Sequence, residues 1–159
     1  MNLKIFYSET NKEDIHRIQR ALAPTYKDIL NIIIGGELAL LNDAYNSRRD
    51  QYNADTLLKY LIATEKKDYT LWVVRRDLYC TGMNFVFGYA MHHKGAILSI
   101  FRLASQTLIE KETIHEVGHV VGLHHCSNLC VMQFSNSLVE AKMKPAYLCD
   151  RCKRKIMSF

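Results

Sequence analysis

Residues 115–125 run His115-Glu116-Val117-Gly118-His119-Val120-Val121-Gly122-Leu123-His124-His125. The pattern is H-E-x-x-H-x-x-G-x-x-H. Chance places those five residues at those offsets in roughly 3 of 100,000 chains of this composition, so the stretch is read as a metal site rather than an accident of a surface helix. Two histidines four apart leave one face of a helix about one turn apart, and a nitrogen from each ring can reach a single zinc at roughly 2.0–2.1 Å. Glu116 stands one step round the helix, where it can overlook an open coordination position and accept a proton from water held there. Gly122 can take a positive φ and end the helix in a left-handed cap; the reversed chain then brings His125 up as a third ligand. Three protein ligands with the fourth position left to solvent mark a catalytic zinc rather than a structural one. His124 lies one residue short of that offset and is read as a neighbour. His16, His92 and His93 have no partner spacing and are read as surface or core histidines.

Of the five cysteines, Cys126, Cys130, Cys149 and Cys152 form C-x3-C, eighteen intervening residues, and C-x2-C. These spacings suit a four-thiolate zinc site, and such closed sites are usually structural. Two disulfides are the alternative. The N-terminal Met1-Asn-Leu-Lys-Ile-Phe-Tyr7 has no apolar signal core or small-residue cleavage site, so a cytoplasmic, reducing setting is expected, where thiolates hold metal and disulfides are rare. Cys126 directly follows His125, so a metal there would anchor the loop that presents the third histidine. Cys80 is left over and is read as a small buried apolar side chain.

The remaining composition is ordinary. With 159 residues, 48% hydrophobic and 23% charged, the chain suits one domain with a full core. An N-terminal part, 1–122, would carry the metal helix, and a cysteine-held part, 123–159, would follow. No stretch approaches the roughly 20 apolar residues of a membrane span, so no membrane partner is expected. The net charge of +5 comes largely from Lys142, Lys144, Arg151, Lys153, Arg154 and Lys155, read as a solvated end rather than as a contact for acidic peptide or nucleic acid.

Hydrophobic periodicity predicts the elements. Leu3–Tyr7 is a strand, and Asn11–Leu22 a helix with Ile15, Ile18 and Leu22 inward. Asp28–Ile34 is a strand stopped by Gly35-Gly36, and 37–53 is ambiguous. Ala54–Ala63 is a helix capped by Asn53, and Thr70–Arg75 a strand. Asn84–Met91 and Ala96–Leu103 form a hairpin about His92-His93-Lys94-Gly95. Gln106–Val121 is the metal helix, with Thr107 as its cap, and Ala146–Ile156 adds a short final helix. The expected fold is mixed α/β: a twisted mixed sheet backed by two helices, with the metal helix across one face. The hairpin leaves an exposed edge, and Phe85, Val86 and Phe87 are candidates to pair with an extended peptide.

At this level the chain resembles the archaemetzincins. The resemblance rests on His115-Glu116 through His125-Cys126, on Cys130-Val-Met132-Gln-Phe-Ser-Asn-Ser137 and on Cys149-Asp-Arg-Cys152, with Arg49-Asp-Gln-Tyr-Asn-Ala54 and Asn84-Phe-Val-Phe-Gly-Tyr-Ala90 similar to upstream segments of that family. It implies a compact metzincin-like α/β fold with a catalytic and a structural zinc. It also implies a Met-turn, with Met132 as an apolar floor beneath the metal rather than a ligand to it. Two gaps, Cys126 to Cys130 and Met132 to Cys149, are each one residue shorter than the family form. The leading reading is a zinc metallopeptidase acting on peptide or protein, with Glu116 as general base and acid. The alternatives are a non-catalytic zinc module and a small metallo-endoribonuclease; the latter shares the H-x3-H-x5-H spacing but leaves Glu116 and the cysteine quartet without a role.

Overall fold

The structure, a computed structural model, describes residues 1–159. In chain order it contains β1 (Asn2–Ser8), α1 (Lys12–Tyr26), β2 (Asn31–Glu37), a 3₁₀ turn (Asn42–Ala44), β3 (Tyr45–Asn46), β4 (Gln51–Asn53), α2 (Ala54–Thr64), β5 (Tyr69–Val74), β6 (Leu78–Tyr79), β7 (Gly88–Met91), β8 (Gly95–Ser99), α3 (Gln106–Val120), α4 (Leu138–Met143) and α5 (Asp150–Met157). The main sheet has the order β2-β1-β5-β8-β7. β2, β1, β5 and β8 are parallel neighbours, and β7 returns antiparallel to β8 at the edge. A small sheet of order β3-β4-β6 stands apart.

The central strands β5 and β8 are buried on both faces, which is why β5 reads Tyr-Thr-Leu-Trp-Val-Val without charged or regularly alternating polar residues. Leu3, Ile5, Leu71, Val73, Ala96 and Leu98 face one side, where they join Ile15, Ile18 and Leu22 of α1 and Ile114, Val117 and Val120 of α3. Phe6, Trp72, Val74 and Ile97 face the other, against Leu57, Leu58 and Leu61 of α2. Each fully buried aliphatic side chain in these layers contributes roughly 1.5–3 kcal/mol of transfer free energy. The first layer continues without a break into Leu123, Cys126, Cys130, Val131, Met132, Leu148, Cys152 and Ile156, so the cysteine-bearing end shares the core of the sheet. No helix is long and apolar enough to cross a membrane.

Several expectations need correction. β2 does not stop at Gly35-Gly36 but runs to Glu37, with a bulge where Ile5 pairs with Ile34 and Phe6 with Gly36. The bare glycine at 35 makes room for the Phe6 ring, which a Cβ would meet at 2.7 Å. α1 continues through Pro24 to Tyr26, whose hydroxyl donates to the Ile114 carbonyl at 2.6 Å and ties α1 to α3. Phe85, Val86 and Phe87 lie outside the edge strand, which begins at Gly88; Val86 instead bridges Leu78. The cap of α3 is Ser105, not Thr107: its hydroxyl accepts from the Leu108 N–H at 3.2 Å. Lys144 is not part of a solvated tail but is buried. Asn53 does cap α2, accepting from the Thr56 N–H.

Loss of the α3 cap leaves an orphan N–H at the start of the metal helix. Ser105→Ala should therefore cost about 1 kcal/mol in urea denaturation and leave metal content unchanged. Unaltered stability would show that Thr107, or nothing, caps the helix.

Candidate metal centre

α3 carries His115, Glu116 and His119 into a cavity of about 360 Å³ that is also walled by Phe85, Phe87, Gly88, His92, His125 and Phe134. The helix ends at Val120, and Gly122 takes φ +108°. This is the positive-φ reversal a glycine permits, and it turns the chain so that His125 faces the two helical rings. One ring nitrogen from each of His115, His119 and His125 lies within 4.8 Å of the others.

Backbone carbonyls set the ring orientations. His115 Nδ1 lies 2.8 Å from the Val131 carbonyl and His119 Nδ1 2.7 Å from the Leu123 carbonyl. An Nδ1–H donated to each carbonyl leaves the Nε2 lone pair free and directed inward. The two Nε2 atoms stand 3.1 Å apart, close to the roughly 3.3 Å edge of a tetrahedron with 2.0–2.1 Å bonds. Burial is the first cause of the altered basicity of all three rings: His115 falls well below the ordinary histidine value, His119 to about 4, and His125 is lowered as well. Near neutral pH the rings are thus uncharged donors, as a metal requires.

Glu116 is buried beside them. Desolvation, then the neighbouring Glu112 carboxylate, push its pKa up to about 8. Its carboxylate packs against the backbone of Gly88 so closely that any Cβ there would collide with it. Glu112, one turn earlier, forms a buried ion pair with Lys144 at 3.0 Å. The Lys144 ammonium also donates to the Gln133 carbonyl at 3.2 Å, pinning the segment after Met132 to the helix. Met132 is fully buried, and its sulfur lies against Gly118, between the two helical histidines, at a position a Cβ would fill.

Four of the five cysteines, Cys126, Cys130, Cys149 and Cys152, form a second cluster with ligand atoms within 4.8 Å of one another. All cysteines are free thiols. Cys126 and Cys149 Sγ are 3.8 Å apart, which matches the roughly 3.8 Å edge of a tetrahedron with 2.3 Å zinc–sulfur bonds. Cys130 Sγ accepts from the N–H groups of Met132 and Cys149, and Cys126 Sγ from Arg151. At Cys149, burial opposes ionisation, but hydrogen bonds from the Cys152 N–H and Asn128 outweigh it and bring the thiol down to about 6. The cluster ties the loop bearing His125 and Met132 to α5.

Three features escaped the sequence reading. His92, expected at the surface or in the core, lines the cavity and stacks on His119 with ring centroids 5.6 Å apart. Cys80, expected as buried filler, is half-exposed on the same wall. Arg49 and Gln51 donate to the carbonyls of Met83 and Asn84, and Gln51 also to Asp77, fixing the segment that leads into β7. No spacing rule links residues 49–51 to 83–84; only the tertiary fold does. Phe85, Val86 and Phe87 line the cavity although they are not in the edge strand.

Three inward-facing neutral imidazoles beside a buried carboxylate are the donor set of a metallohydrolase. Residues 36–158 match the model of peptidase family M54. The archaemetzincin of Nanoarchaeum equitans is 43% identical over 122 residues, covering 77% of this chain and 72% of that protein. That of Archaeoglobus fulgidus is 36% identical, covering 98% and 99%. The solved archaemetzincin structure from Archaeoglobus fulgidus superposes with a TM-score of 0.89 at 34% identity over 98% of this chain and 99% of that one; the structure from Methanopyrus kandleri gives 0.86 at 29% over 99% and 94%. The chain belongs to peptidase family M54, the archaemetzincins, and is a zinc metallopeptidase.

The raised pKa of Glu116 fixes a pH dependence for the metal-free protein. The folded value of about 8 exceeds the ordinary 4.5, so this side chain's contribution to stability is full below about 4.5 and is lost as pH rises through 8. In chelator-treated protein, Glu116→Gln should gain on wild type across that window, reaching a few kcal/mol above pH 8 by urea denaturation. A gap independent of pH would place the carboxylate in water.

Proposed function

We propose that this chain hydrolyses peptide bonds at the centre formed by His115, His119 and His125, with Glu116 as the proton carrier. The observation that carries the reading is the pairing of Nε2 atoms turned inward by backbone carbonyls with a buried carboxylate one helical step away. Zinc held by the three rings supplies a Lewis acid that brings the pKa of water toward neutrality. Glu116 accepts a proton from the attacking water and returns it to the leaving amine; a cation nearby favours its carboxylate form despite burial. Gly88 holds Glu116 close by allowing direct contact with the edge strand. Met132 gives the site an apolar floor. The free edge of β7 offers unpaired backbone groups to an extended peptide, and Phe85 and Phe87 border the same cavity, where they contact substrate side chains.

Cys126, Cys130, Cys149 and Cys152 hold a second, structural zinc, giving two per chain. It fixes the loop from His125 to Met132 and so preserves the approach of the third imidazole. Four free thiols at metal-binding separation fit a reducing compartment, and we place the protein in the cytoplasm on that ground.

Metal analysis of protein purified without chelator should give two zincs per chain in both wild type and Glu116→Gln, with hydrolysis of peptides in the variant reduced by about 10²-fold or more. Cys130→Ser should retain at most one zinc and lose thermal stability. Full turnover in Glu116→Gln would overturn its assigned role, and one zinc in wild type would overturn the structural site.

A further inference from the structure

The cavity contains an imidazole that the proposed reaction has not used. His92 sits in the turn after β7, and its ring lies nearly parallel to that of His119, at 17° and 5.6 Å between centroids. His124 flanks it at 4.6 Å. The ring is part of the wall that also carries Glu116 and the three converging histidines. His115 and His119 each commit Nδ1 to a backbone carbonyl, whereas His92 has no hydrogen-bond partner in the protein.

The other polar side chains on this wall are less suited to donate to a substrate. The Tyr89 hydroxyl is given to Asp55 at 2.9 Å. The Asn136 amide faces the Glu140 carboxylate. The Ser135 hydroxyl also lacks a partner but is shut off from solvent, and the Cys80 thiol is a weak donor. A neutral imidazole always keeps one N–H to donate, and a scissile carbonyl gains negative charge on its oxygen as water attacks. A fixed donor aimed at that oxygen stabilises the transition state more than the ground state.

We infer that His92 is a further catalytic residue, donating a ring N–H to the carbonyl oxygen of the substrate as its charge develops. Stacking on His119 holds the ring in place, and the short turn from the edge strand sets its distance from a peptide paired with β7. The inference rests on the peptidase reading above but not on the number of zincs.

The test uses zinc-loaded full-length protein, a peptide that the wild type cleaves, and a phosphinic-peptide analogue of that substrate. His92→Phe keeps a flat ring and removes the donor; His92→Gln restores an N–H. In His92→Phe, kcat should fall about 10²-fold with KM nearly unchanged and zinc content intact. Calorimetric affinity for the analogue should weaken by a similar factor, and His92→Gln should recover much of both losses. Wild-type turnover in His92→Phe, loss of zinc from it, unchanged analogue affinity, or equal losses in the two variants would each overturn the inference. A wild type that cleaves no peptide in a broad library would instead defeat the peptidase reading itself, a result distinct from a cleaving wild type matched by His92→Phe.

Discussion

Two short hydrogen bonds govern the proposed centre: from His115 Nδ1 to the Val131 carbonyl and from His119 Nδ1 to the Leu123 carbonyl. They decide which nitrogen of each ring faces inward, and they decide it from the chain beyond the helix. A helix alone can bring two imidazoles to one face, but each ring could still rotate or carry its proton on the wrong nitrogen. The carbonyls that settle this belong to the segment that also carries His125 and Met132. The centre is therefore no more rigid than that segment, which the cysteine cluster and the Lys144–Glu112 pair tie down from opposite ends.

Packing makes the arrangement tolerable energetically. Two largely enclosed imidazoles, His115 and His119, and two buried carboxylates in one region would ordinarily be costly. Here each has a compensation: carbonyls for two rings, Lys144 for Glu112, and a protonated form for Glu116 when no cation is present. On the proposed reading the cation completes the set, since it rewards neutral rings and an ionised Glu116 together. Without a cation Glu116 holds a proton that it would lose once a divalent charge sits nearby.

The sequence displayed the parts of this centre that depend on local spacing. The i, i+4 histidines, the glycine reversal and the cysteine pairs all recur at fixed offsets, and each meets its partners in the structure. The strands of the mixed sheet were legible as short apolar runs, but their parallel pairing was not, because it depends on crossovers between distant segments. What stayed hidden was set by contacts between distant segments. The bulge at Gly35 depends on the Phe6 ring, 29 residues earlier in the chain. The burial of Lys144 depends on Glu112, and no local pattern distinguishes it from its exposed basic neighbours. His92 carries no motif because its partner, His119, lies on a separate element, the helix α3. The edge strand was placed early for a similar reason: Phe85-Val86-Phe87 has the composition of a strand, but Arg49 and Gln51 draw that segment onto the small sheet's side and pairing with β8 settles only from Gly88 onward.

The central claim is that three ring nitrogens and four sulfurs hold two separate ions. Anomalous diffraction at the zinc absorption edge, on crystals of protein purified without added metal, tests it directly. The account predicts two peaks per chain, one bounded by Nε2 of His115, His119 and His125 and one by Sγ of Cys126, Cys130, Cys149 and Cys152. A single peak at the sulfurs, with the ring of His125 turned away from the other two, would contradict it.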